Sequence, residues 1–401
     1  PTKYKVGGIN LKDEEWRELK GKADELRARR NKISAEINEL RKHKKDISKL
    51  LKEAKDIPEK ITKTESKAEK LQERIREIMM VIPNIIHKSV PIGKDSSQNV
   101  EIEKIGTPRK FDFEPKNHIE IIEGLGIVDF DTATEISGKG FYILKGELAL
   151  LNMALINFSR DYMVKQGYIY YEPPLMIKKN VLTGVYSNKE IDAMSYKIEG
   201  EDLYLIATSE HPMIGMFINK TLRKEDLPIK ITGYSMCFRK EIGAHGIEEK
   251  GLYRRHQFNK QEMIVICEPS ESYKFYHEMR EHSKAVFKQL GIPIRVLECC
   301  SGDLADLKAK SEDLEAWSPV KNAYYEITSL TNMEEAQARR LNIKIQNGAD
   351  RYFAHTLNNT VIATSRAMVA VLENYQQKDG SVEIPKVLQS YMGGMKVIKK
   401  K

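Results

Sequence analysis

The runs Cys237-Phe-Arg-Lys-Glu241 and Leu252-Tyr-Arg-Arg-His-Gln-Phe-Asn-Lys-Gln-Glu262 stand on either side of a loop that ends at Gly251. Strand-like sequences, Ile229 to Phe238 and Met263 to Cys267, overlap or follow the two runs, so the charged residues lie where two strands are joined. A buried sheet does not use Arg, Lys and Glu for packing, because an unpaired buried charge is costly. The pattern therefore predicts a pair of strands whose charged residues serve a purpose other than packing.

Further strand-like runs follow one another through the second part of the chain, interleaved with helical stretches such as Ala149 to Lys165. These runs are Tyr168 to Tyr171, Leu203 to Ala207, Ile294 to Leu297 and Tyr324 to Thr328. We predict a mainly antiparallel sheet flanked by helices, although periodicity alone does not fix the strand order.

The first ninety residues carry apolar residues that repeat every three or four positions. Positions 16, 19, 23, 26, 33, 37, 40 and 47 are Trp, Leu, Ala, Leu, Ile, Ile, Leu and Ile. A second series consists of Ile61, Thr64, Ala68, Leu71, Ile75, Ile78 and Ile82. This spacing is typical of a heptad seam. We predict an antiparallel coiled coil of two helices that are separated near Asp56 and Pro58, because proline stops a helix.

Basic residues gather around the predicted end of this hairpin and outnumber the acidic residues nearby. A helix of about 30 to 35 residues rises about 50 Å, much farther than a core-packing helix needs. The candidates for contact with phosphate groups are Arg41, Lys42, Lys44, Lys45, Lys49 and Lys52. On charge alone, a solvated coiled-coil face explains these residues at least as well, and coiled coils also dimerise or scaffold.

Helical periodicity stops between Pro83 and about Pro115, where prolines and Gly93 punctuate the chain, so this stretch reads as a connector. A length of 401 residues fits two domains. We therefore expect a coiled-coil arm over residues 1–88, a linker over 89–115 and a second domain over 116–401.

The composition, with 41% hydrophobic and 31% charged residues, is typical of a soluble globular protein, and a net charge of +8 allows a polyanionic partner without identifying one. The four cysteines form no CxxC pair, so neither a disulfide framework nor a zinc ribbon is indicated. No apolar run approaches the roughly 20 residues that span a bilayer, and no export signal is present, so we expect a cytoplasmic protein. The chain begins at Pro1 rather than Met, so we expect that preceding residues were removed or left out.

The two charged runs resemble motif 2 of the class II aminoacyl-tRNA synthetases, and their residues are similar to those of the seryl-tRNA synthetase family. Gly167-Tyr-Ile-Tyr-Tyr-Glu-Pro-Pro174 resembles motif 1, and Ala207-Thr-Ser-Glu210 resembles the serine signature of the family. Glu326-Ile-Thr-Ser329 resembles the metal and ATP segment, and the stretch from His355 to Arg366 resembles motif 3. The resemblance covers nearly the whole chain. It implies an α+β fold, with an N-terminal antiparallel coiled-coil hairpin and a class II domain built on an antiparallel sheet flanked by helices.

The resemblance implies an ATP site. Arg239 should contact the α-phosphate of ATP and the serine carboxylate, Glu241 the adenine amino group, and Phe258 the adenine ring. Arg254 and Arg366 should hold the outer phosphates, because guanidinium groups suit phosphate oxygens. Arg239 and Arg366 are the residues assigned to catalysis by charge neutralisation. The remaining ATP-site candidates are Lys240, Glu326, Ile327, Thr328 and Ser329.

Glu326 and Ser329 resemble the ligands of Mg²⁺, a hard cation that prefers oxygen. The rare zinc-dependent form of the family needs cysteine ligands that have no match here, so no zinc is expected. For serine, the matching residues are Thr208, Ser209, Glu210, Glu262 and Thr360. A site that hydrogen-bonds the substrate hydroxyl rejects alanine strongly, whereas threonine must be refused sterically. Thr360 stands where many relatives carry serine.

The implied reaction is activation of L-serine with ATP to seryl-adenylate and transfer of the seryl group to tRNA(Ser), and also to tRNA(Sec) where present. The implied partners are a tRNA held by the hairpin and a second copy of the chain, bound through the motif 1 region. Two alternatives remain at this point: a relative that loads a carrier protein, which would lack the arm, and a catalytically silent scaffold. Asn359, Thr360 and Ala363 are closer to archaeal and eukaryotic sequences, and the loop at 244–250 is more acidic than in many bacterial relatives.

Overall fold

The computed structural model describes residues 7–186, 188–241 and 251–400, and the chain divides into two compact units, Pro1–Ile82 and Pro83–Lys401. The acidic loop at 244–250 that the sequence singled out lies outside the described residues. Across the described part of the chain, no helix combines the length and the apolar character needed to cross a membrane.

The first unit is a hairpin of two long helices, α1 (Gly7–Lys42) and α2 (Ser48–Met79). They pack against each other along the predicted seam, where Ala23, Ile33, Ile61 and Ala68 are buried. The 36 residues of α1 give it a length of about 54 Å at about 1.5 Å per residue. The predicted hairpin of two long helices is confirmed.

The turn of the hairpin lies at residues 43–47, so the prediction of a break near Asp56 and Pro58 was wrong. Lys44 takes a left-handed backbone conformation with φ of 52°. Asp46 Oδ1 then accepts hydrogen bonds from the backbone N–H of Ser48 at 2.9 Å and from its hydroxyl at 2.6 Å. These bonds satisfy donors at the start of α2, as a side chain at a helix N-terminus commonly does.

Pro58 lies inside α2, although a proline in a helix interior costs about 3 kcal/mol. Its ring faces solvent, whereas the neighbouring Ile57 and Ile61 are buried against Ile33 and Ile37 of α1. Full burial of one such side chain contributes roughly 1.5 to 3 kcal/mol. Packing between the helices therefore outweighs the local preference of proline, which explains the misplaced turn.

The second unit combines helices and strands, numbered in chain order. The strands are β1 (Val100–Ile105), β2 (Val128–Asp129), β3 (Ile143–Leu144), β4 (Ile169–Tyr171), β5 (Met176–Ile177), β6 (Tyr204–Leu205), β7 (Thr221–Arg223), β8 (Ile229–Phe238), β9 (Gln257–Cys267), β10 (Ile294–Glu298), β11 (Lys310–Ser318), β12 (Ala323–Asn332), β13 (Lys344–Asn347), β14 (Asp350–Phe353), β15 (His355–Ala363), β16 (Val382–Glu383) and β17 (Val397–Ile398). The helices are α3 (His118–Leu125), α4 (Phe130–Ser137), α5 (Gly146–Lys165), α6 (Lys179–Leu182), α7 (Asn188–Met194), α8 (Glu210–Gly215), α9 (Ser272–Gln289), α10 (Ala336–Leu341) and α11 (Thr364–Tyr375).

Eight of these strands form one large sheet in the order β1-β10-β11-β12-β15-β9-β8-β4. Every neighbouring pair is antiparallel except β4 and β8, which are parallel. Strand β8 has the predicted bounds, and its last residue, Phe238, pairs with Gln257, the first residue of β9. The predicted antiparallel sheet flanked by helices is confirmed.

The stretch at 89–115, expected to be a linker, contributes a strand to this sheet. Its residues Val100–Ile105 form β1, which pairs with β10 at one edge. The first four residues of β1 alternate apolar and polar side chains, a short signal among the prolines of this stretch, and all but the last residue of the strand are exposed at this edge.

Strand β9 shows how one face of the sheet becomes available for a binding site. Met263 and Val265 belong to the main core, in which α5, α9 and α11 cover the sheet. Successive side chains of a strand point to opposite faces, so Phe258, Lys260 and Glu262 lie on the other face. That face is where the charged residues of the two opening runs can meet.

Candidate functional site

A pocket opens on this second face of the sheet, where β9, β12 and β15 meet the first turn of α11. Nearly all residues predicted to bind ATP contribute to its lining. The lining residues are Arg239, Glu241, Tyr253, Arg254, Arg255, Phe258, Lys260, Glu326, Ile327, Thr328, Ser329, Thr360, Ala363, Ser365 and Arg366. Lys240 is the exception among the predicted ATP residues, since its Nζ donates to the carbonyl oxygen of Asp192 at 3.0 Å.

Arg239 directly follows β8 and is fixed at one end of the pocket. Its Nε donates to the carbonyl oxygen of Ala207 at 3.2 Å, and its guanidinium lies 5.2 Å from the ring of Phe258. A guanidinium has four further N–H groups in a planar fork that matches phosphate and carboxylate oxygens. Arg239 and Phe258 therefore offer an anion contact and an aromatic face side by side.

Arg254 and Arg366 reach the pocket from different parts of the chain. Arg254 Nη1 lies 3.6 Å from Glu241 Oε2. Arg366 lies 4.8 Å from the ring of Tyr253, and its Nη1 is 3.1 Å from Glu326 Oε1. Burial disfavours the charge of Arg366, but the carboxylate of Glu326 outweighs this effect and raises the pKa of Arg366. Arg239, Arg254 and Arg366 thus bring three guanidinium groups to the pocket, an arrangement that suits a polyphosphate ligand, while a fourth lining arginine, Arg255, is buried and donates to the carbonyl oxygen of Gly251.

Glu326 and Ser329 are three positions apart in β12, which would place them on opposite faces of a regular strand. The pairing of β11 with β12 shifts between Leu314 and Glu315, so that Ile327 is an extra residue in the ladder. This β-bulge brings both side chains to the same face, where they line the pocket. Burial raises the pKa of Glu326, but the charge of Arg366 outweighs it and the pKa is lowered.

Two charged residues beside this pair were missed by sequence reasoning. Asp313 lies opposite Ser329 in the ladder, and Lys308 Nζ lies 3.4 Å from Ser329 Oγ. Burial and then the charge of Glu326 raise the pKa of Asp313, whose Oδ1 is buried with no hydrogen-bond partner in the described part of the chain. An orphaned carboxylate oxygen beside a carboxylate and a hydroxyl fits a hard divalent cation such as Mg²⁺.

Glu262 lies at the far end of the same face and is completely buried. Its Oε1 accepts hydrogen bonds from Thr208 Oγ1 at 3.1 Å and from Thr360 Oγ1 at 3.4 Å. Lys260 Nζ forms an ion pair with the same oxygen. Within the described residues, Oε2 has no hydrogen-bond partner. Three of the residues predicted to bind serine therefore meet at one carboxylate.

Glu210 is the second buried carboxylate of this region, and its partners are neutral. Gln337 Nε2 donates to its Oε1 at 3.1 Å, and Asn358 Nδ2 donates to its Oε2 at 2.8 Å. No Lys or Arg of the described ranges forms an ion pair with it. Burial and then the negative charge of Glu262 raise the pKa of Glu210 to about 7. Glu210 is thus a buried carboxylate that a cation would stabilise.

Ser209, also predicted to contact serine, is completely buried, and its hydroxyl donates to the carbonyl oxygen of Gly233 at 2.8 Å. The next residue but one, His211, stays neutral because burial, Arg239 and Lys260 lower its pKa to about 3. Neither side chain adds charge to the surroundings of Glu210.

Lys260, Gln337 and Asn358 contact the two buried carboxylates, and the sequence analysis left all three without a role. A signal for Lys260 existed, because it stands midway between Phe258 and Glu262 and shares their face of the strand. The two amides lie in stretches that resemble family motifs, Gln337 after the metal and ATP segment and Asn358 within motif 3, but the resemblance gave neither a role. They lie 127 and 148 positions from Glu210 and meet it only in the folded chain.

The candidate RNA contacts lie in the hairpin unit. Arg41, Lys42, Lys44 and Lys45 are exposed around the turn at 43–47, and Lys49 and Lys52 are exposed in the first turns of α2. The structure thus gathers all six at the tip, even though the turn was predicted about ten residues farther along the chain.

Comparison with known proteins identifies two family models in the chain. One, described as the tRNA synthetase class II core domain (G, H, P, S and T), matches residues 194–375, and the other, the seryl-tRNA synthetase N-terminal domain, matches residues 3–86. A serine-tRNA ligase of Methanocella arvoryzae is 47% identical over 98% of this chain and 93% of its own length.

Solved structures agree with these matches. A crystal structure of seryl-tRNA synthetase from Pyrococcus horikoshii complexed with ATP superposes with a TM-score of 0.87 at 39% identity, covering 99% of this chain and 93% of that one. A cytoplasmic serine-tRNA ligase from Naegleria fowleri in complex with AMP superposes with a TM-score of 0.83 at 36% identity, covering 99% and 92%.

Proposed function

This chain belongs to the seryl-tRNA synthetase family and is a ligase that activates serine with ATP and transfers the seryl group to tRNA, and we propose that the pocket on the second face of its sheet is where both steps occur. The observation that carries this assignment is the division of one pocket into two ends. Arg239, Arg254 and Arg366 line one end, and at the other end the lining residues Lys260 and Thr360 contact Glu262, a buried carboxylate that lies behind them near the buried Glu210. The first end suits a triphosphate and the second suits an ammonium group.

At the first end, ATP is bound by the predicted set. The adenine ring stacks on Phe258 and its amino group meets Glu241, while Arg254 and Arg366 hold the outer phosphates. Arg239 contacts the α-phosphate and the serine carboxylate, which brings the attacking oxygen and the phosphorus together. Positioning and charge neutralisation then drive the displacement of pyrophosphate. The cation–π contact between Arg239 and Phe258 supports their joint assignment.

Glu326 and Ser329 are the residues that would hold Mg²⁺, with Asp313 next to them. Bound there, the ion would supply positive charge to phosphate oxygens. The shared face created by the β-bulge and the orphaned oxygen of Asp313 support this assignment. Glu326 also forms an ion pair with Arg366, so the same carboxylate would orient Arg366 and bind the metal ion.

At the second end, Thr208, Glu262 and Thr360 surround the serine hydroxyl, and Glu210 meets the ammonium group. The hydroxyl of Ser209 donates to the carbonyl oxygen of Gly233, so Ser209 serves to connect Thr208 and Glu210 rather than to contact the substrate with its side chain. Thr208 and Thr360 donate to one oxygen of Glu262, which leaves the orphaned Oε2 as the acceptor for a substrate hydroxyl. An unpaired buried oxygen in the absence of that hydroxyl is the reason to expect discrimination against alanine.

The hairpin within residues 1–88 is proposed as the arm that binds tRNA(Ser), and also tRNA(Sec) where present. The body that carries the chemistry extends over 116–401, with the stretch at 89–115 leading into it. Support for the arm comes from the basic tip at 43–47 and from its match to the family's N-terminal domain. Charging of tRNA for translation implies a cytoplasmic location.

We also propose that the protein is a homodimer through the motif 1 region. Helix α5 exposes Leu150 and Met153, each 48% accessible, and the edge strand β4 exposes Ile169 at 60%. Exposed apolar side chains on neighbouring elements, next to a free strand edge, are typical of an interface. A stable monomer in light scattering would contradict this proposal.

Pyrophosphate exchange with serine, threonine, alanine and glycine, followed by tRNA charging, tests the residue assignments. Arg239→Ala should lower serine-dependent exchange by a factor on the order of 10² or more. Arg223→Ala, a matched control at an exposed arginine paired with Asp226, should leave exchange unchanged. Exchange at the wild-type rate in the Arg239 variant would refute its role.

The arm is tested separately. Replacing residues 31–59 with a short turn shortens both helices about equally around the turn at 43–47. Serine-dependent exchange should persist in this variant while charging of tRNA(Ser) collapses. Equal loss of both activities would count against the division of labour.

A further inference from the structure

Leu252 and Tyr253 mark the point where the chain enters the ATP end of the pocket, one residue before Arg254. Two contacts hold them. The backbone N–H of Leu252 donates to Nε2 of His118 at 3.3 Å, and the ring of Tyr253 lies 4.8 Å from the guanidinium of Arg366. Leu252 is also completely buried, so packing holds its side chain while His118 holds its backbone N–H.

The acceptor role of Nε2 determines the rest of the His118 network. A neutral imidazole that accepts at Nε2 carries its proton on Nδ1, which here donates to Glu373 Oε1 at 3.1 Å. The other oxygen of Glu373 accepts from the hydroxyl of Ser318 at 2.6 Å. His118 and Glu373 are only 8% and 3% exposed, so this hydrogen-bond chain is shielded from water.

Both contacts lead to the same helix. Arg366 lies in the first turn of α11 and Glu373 lies two turns farther along it. Gly251 shows how closely the chain passes the imidazole, because a Cβ added there would lie 2.3 Å from His118 Nε2. The segment that carries Arg254 is thus held against α11 by two routes. Tyr253 contacts Arg366 directly, and His118 links Leu252 to Glu373.

We propose that His118 is a positioning residue for ATP: it accepts the N–H of Leu252 and so holds Tyr253 and Arg254 against the helix that carries Arg366. This inference rests on the proposed function, in which Arg254 and Arg366 bind the outer phosphates. The serine end depends on other elements, since Glu262 lies in β9 and Thr360 in β15. Loss of the hydrogen bond from Leu252 to His118 should therefore weaken the binding of ATP but not the binding of serine.

A pair of substitutions separates the acceptor from the rest of the side chain. His118→Asn can still donate to Glu373 from a position near Nδ1 but has no acceptor near Nε2, whereas His118→Gln can place its carbonyl oxygen there. His118→Asn should raise the KM and the directly measured dissociation constant for ATP about ten-fold, the cost of one lost buried hydrogen bond. The KM for serine and kcat should stay within about two-fold, and His118→Gln should restore the ATP values.

Controls make the result decisive. His282→Asn removes a partly buried histidine, paired with Glu278 in α9, and should leave the ATP constants unchanged. Isosteric Glu373→Gln removes the carboxylate that fixes the tautomer and should raise the ATP constants about three-fold without disturbing the fold.

Unchanged ATP constants in His118→Asn and Glu373→Gln would overturn the inference, and so would an equal rise in the KM for serine or an equal effect of His282→Asn. If the wild-type protein showed no serine-dependent exchange, the proposed function would fail. ATP binding to the His118 and Glu373 variants, measured by calorimetry, would still show whether His118 positions the segment that carries Arg254.

Discussion

Serine binding should weaken as the pH falls below 7, because Glu210 must be ionised to pair with the ammonium group of serine. Burial and the neighbouring Glu262 raise the pKa of Glu210 to about 7, and its hydrogen-bond donors, Gln337 and Asn358, are neutral. Serine that reaches the site at low pH must therefore release the proton of Glu210 before the ion pair forms.

The size of the effect follows from the pKa. With a pKa of about 7, the apparent dissociation constant for serine is multiplied by one plus the ratio of protonated to ionised Glu210. That factor is about 11 at pH 6 and about 1.1 at pH 8. The KM for serine should thus be about ten-fold higher at pH 6 than at pH 8, while the KM for ATP changes much less.

The assay is pyrophosphate exchange at pH 6, 7 and 8, together with calorimetry in buffers of different ionisation enthalpy, which counts the protons released as serine binds. Glu210→Gln should bind serine more weakly at every pH and lose the pH dependence. A wild-type KM for serine that varies less than two-fold over this range would refute the reasoning. A Glu210→Gln profile that parallels the wild-type profile would do the same.

The same shift affects stability, with a sign that can be checked. Glu210 has a folded pKa of about 7 against an ordinary value of 4.5, so its contribution to stability is fully present below pH 4.5 and is lost as the pH rises towards 7. The loss amounts to roughly 3 kcal/mol at about 1.4 kcal/mol per pKa unit. Saturating serine should offset part of it, so the thermal shift caused by serine should be larger at pH 8 than at pH 6.

Four further results are expected. Arg366→Lys should raise the KM for ATP about ten-fold in pyrophosphate exchange, because lysine cannot reproduce the planar fork that contacts Glu326. Asp313→Asn should raise the Mg²⁺ concentration for half-maximal exchange several-fold and weaken Mn²⁺ binding measured by electron paramagnetic resonance, and unchanged metal binding would contradict its placement. Replacing Lys44 and Lys45 with Glu should weaken tRNA binding and flatten its dependence on salt by about two counterions, with exchange unaffected. Pro58→Ala should stabilise the hairpin by up to about 3 kcal/mol in urea unfolding, and no gain would mean that α2 bears no strain at this position.

Features that depend on local periodicity were predictable from the sequence. The seam of the hairpin and strand β8 follow from apolar spacing, because burial imposes a period of about 3.5 on a coiled-coil helix and 2 on a strand. The turn of the hairpin was not predictable in the same way. Proline at position 58 signals a break, but the burial of Ile57 and Ile61 keeps α2 continuous, and that burial exists only once α1 is in place.

The metal-site pair illustrates a second limit. A spacing of three between Glu326 and Ser329 fits one face of a helix and opposite faces of a strand. The predicted strand, Tyr324 to Thr328, contains Glu326 and ends one residue before Ser329, so the sequence pattern did not bring the two side chains together and only the family resemblance joined them. The bulge at Ile327 resolves the conflict, and a bulge depends on pairing with β11 rather than on the residues of β12 themselves.

The charge state of Glu210 is the property of the site that the sequence predicts least. The family motif predicts a carboxylate at this position but says nothing about its counter-ion. In the fold, Lys260 pairs with Glu262 from the same strand, and the donors that reach Glu210 are amides from β15 and α10. Within the described residues, one buried carboxylate is therefore paired with a lysine and the other has only neutral donors. In the proposed site the ammonium group of serine would supply the missing positive charge, so the raised pKa of Glu210 and an expected preference for an amino acid over its uncharged analogues would have the same origin.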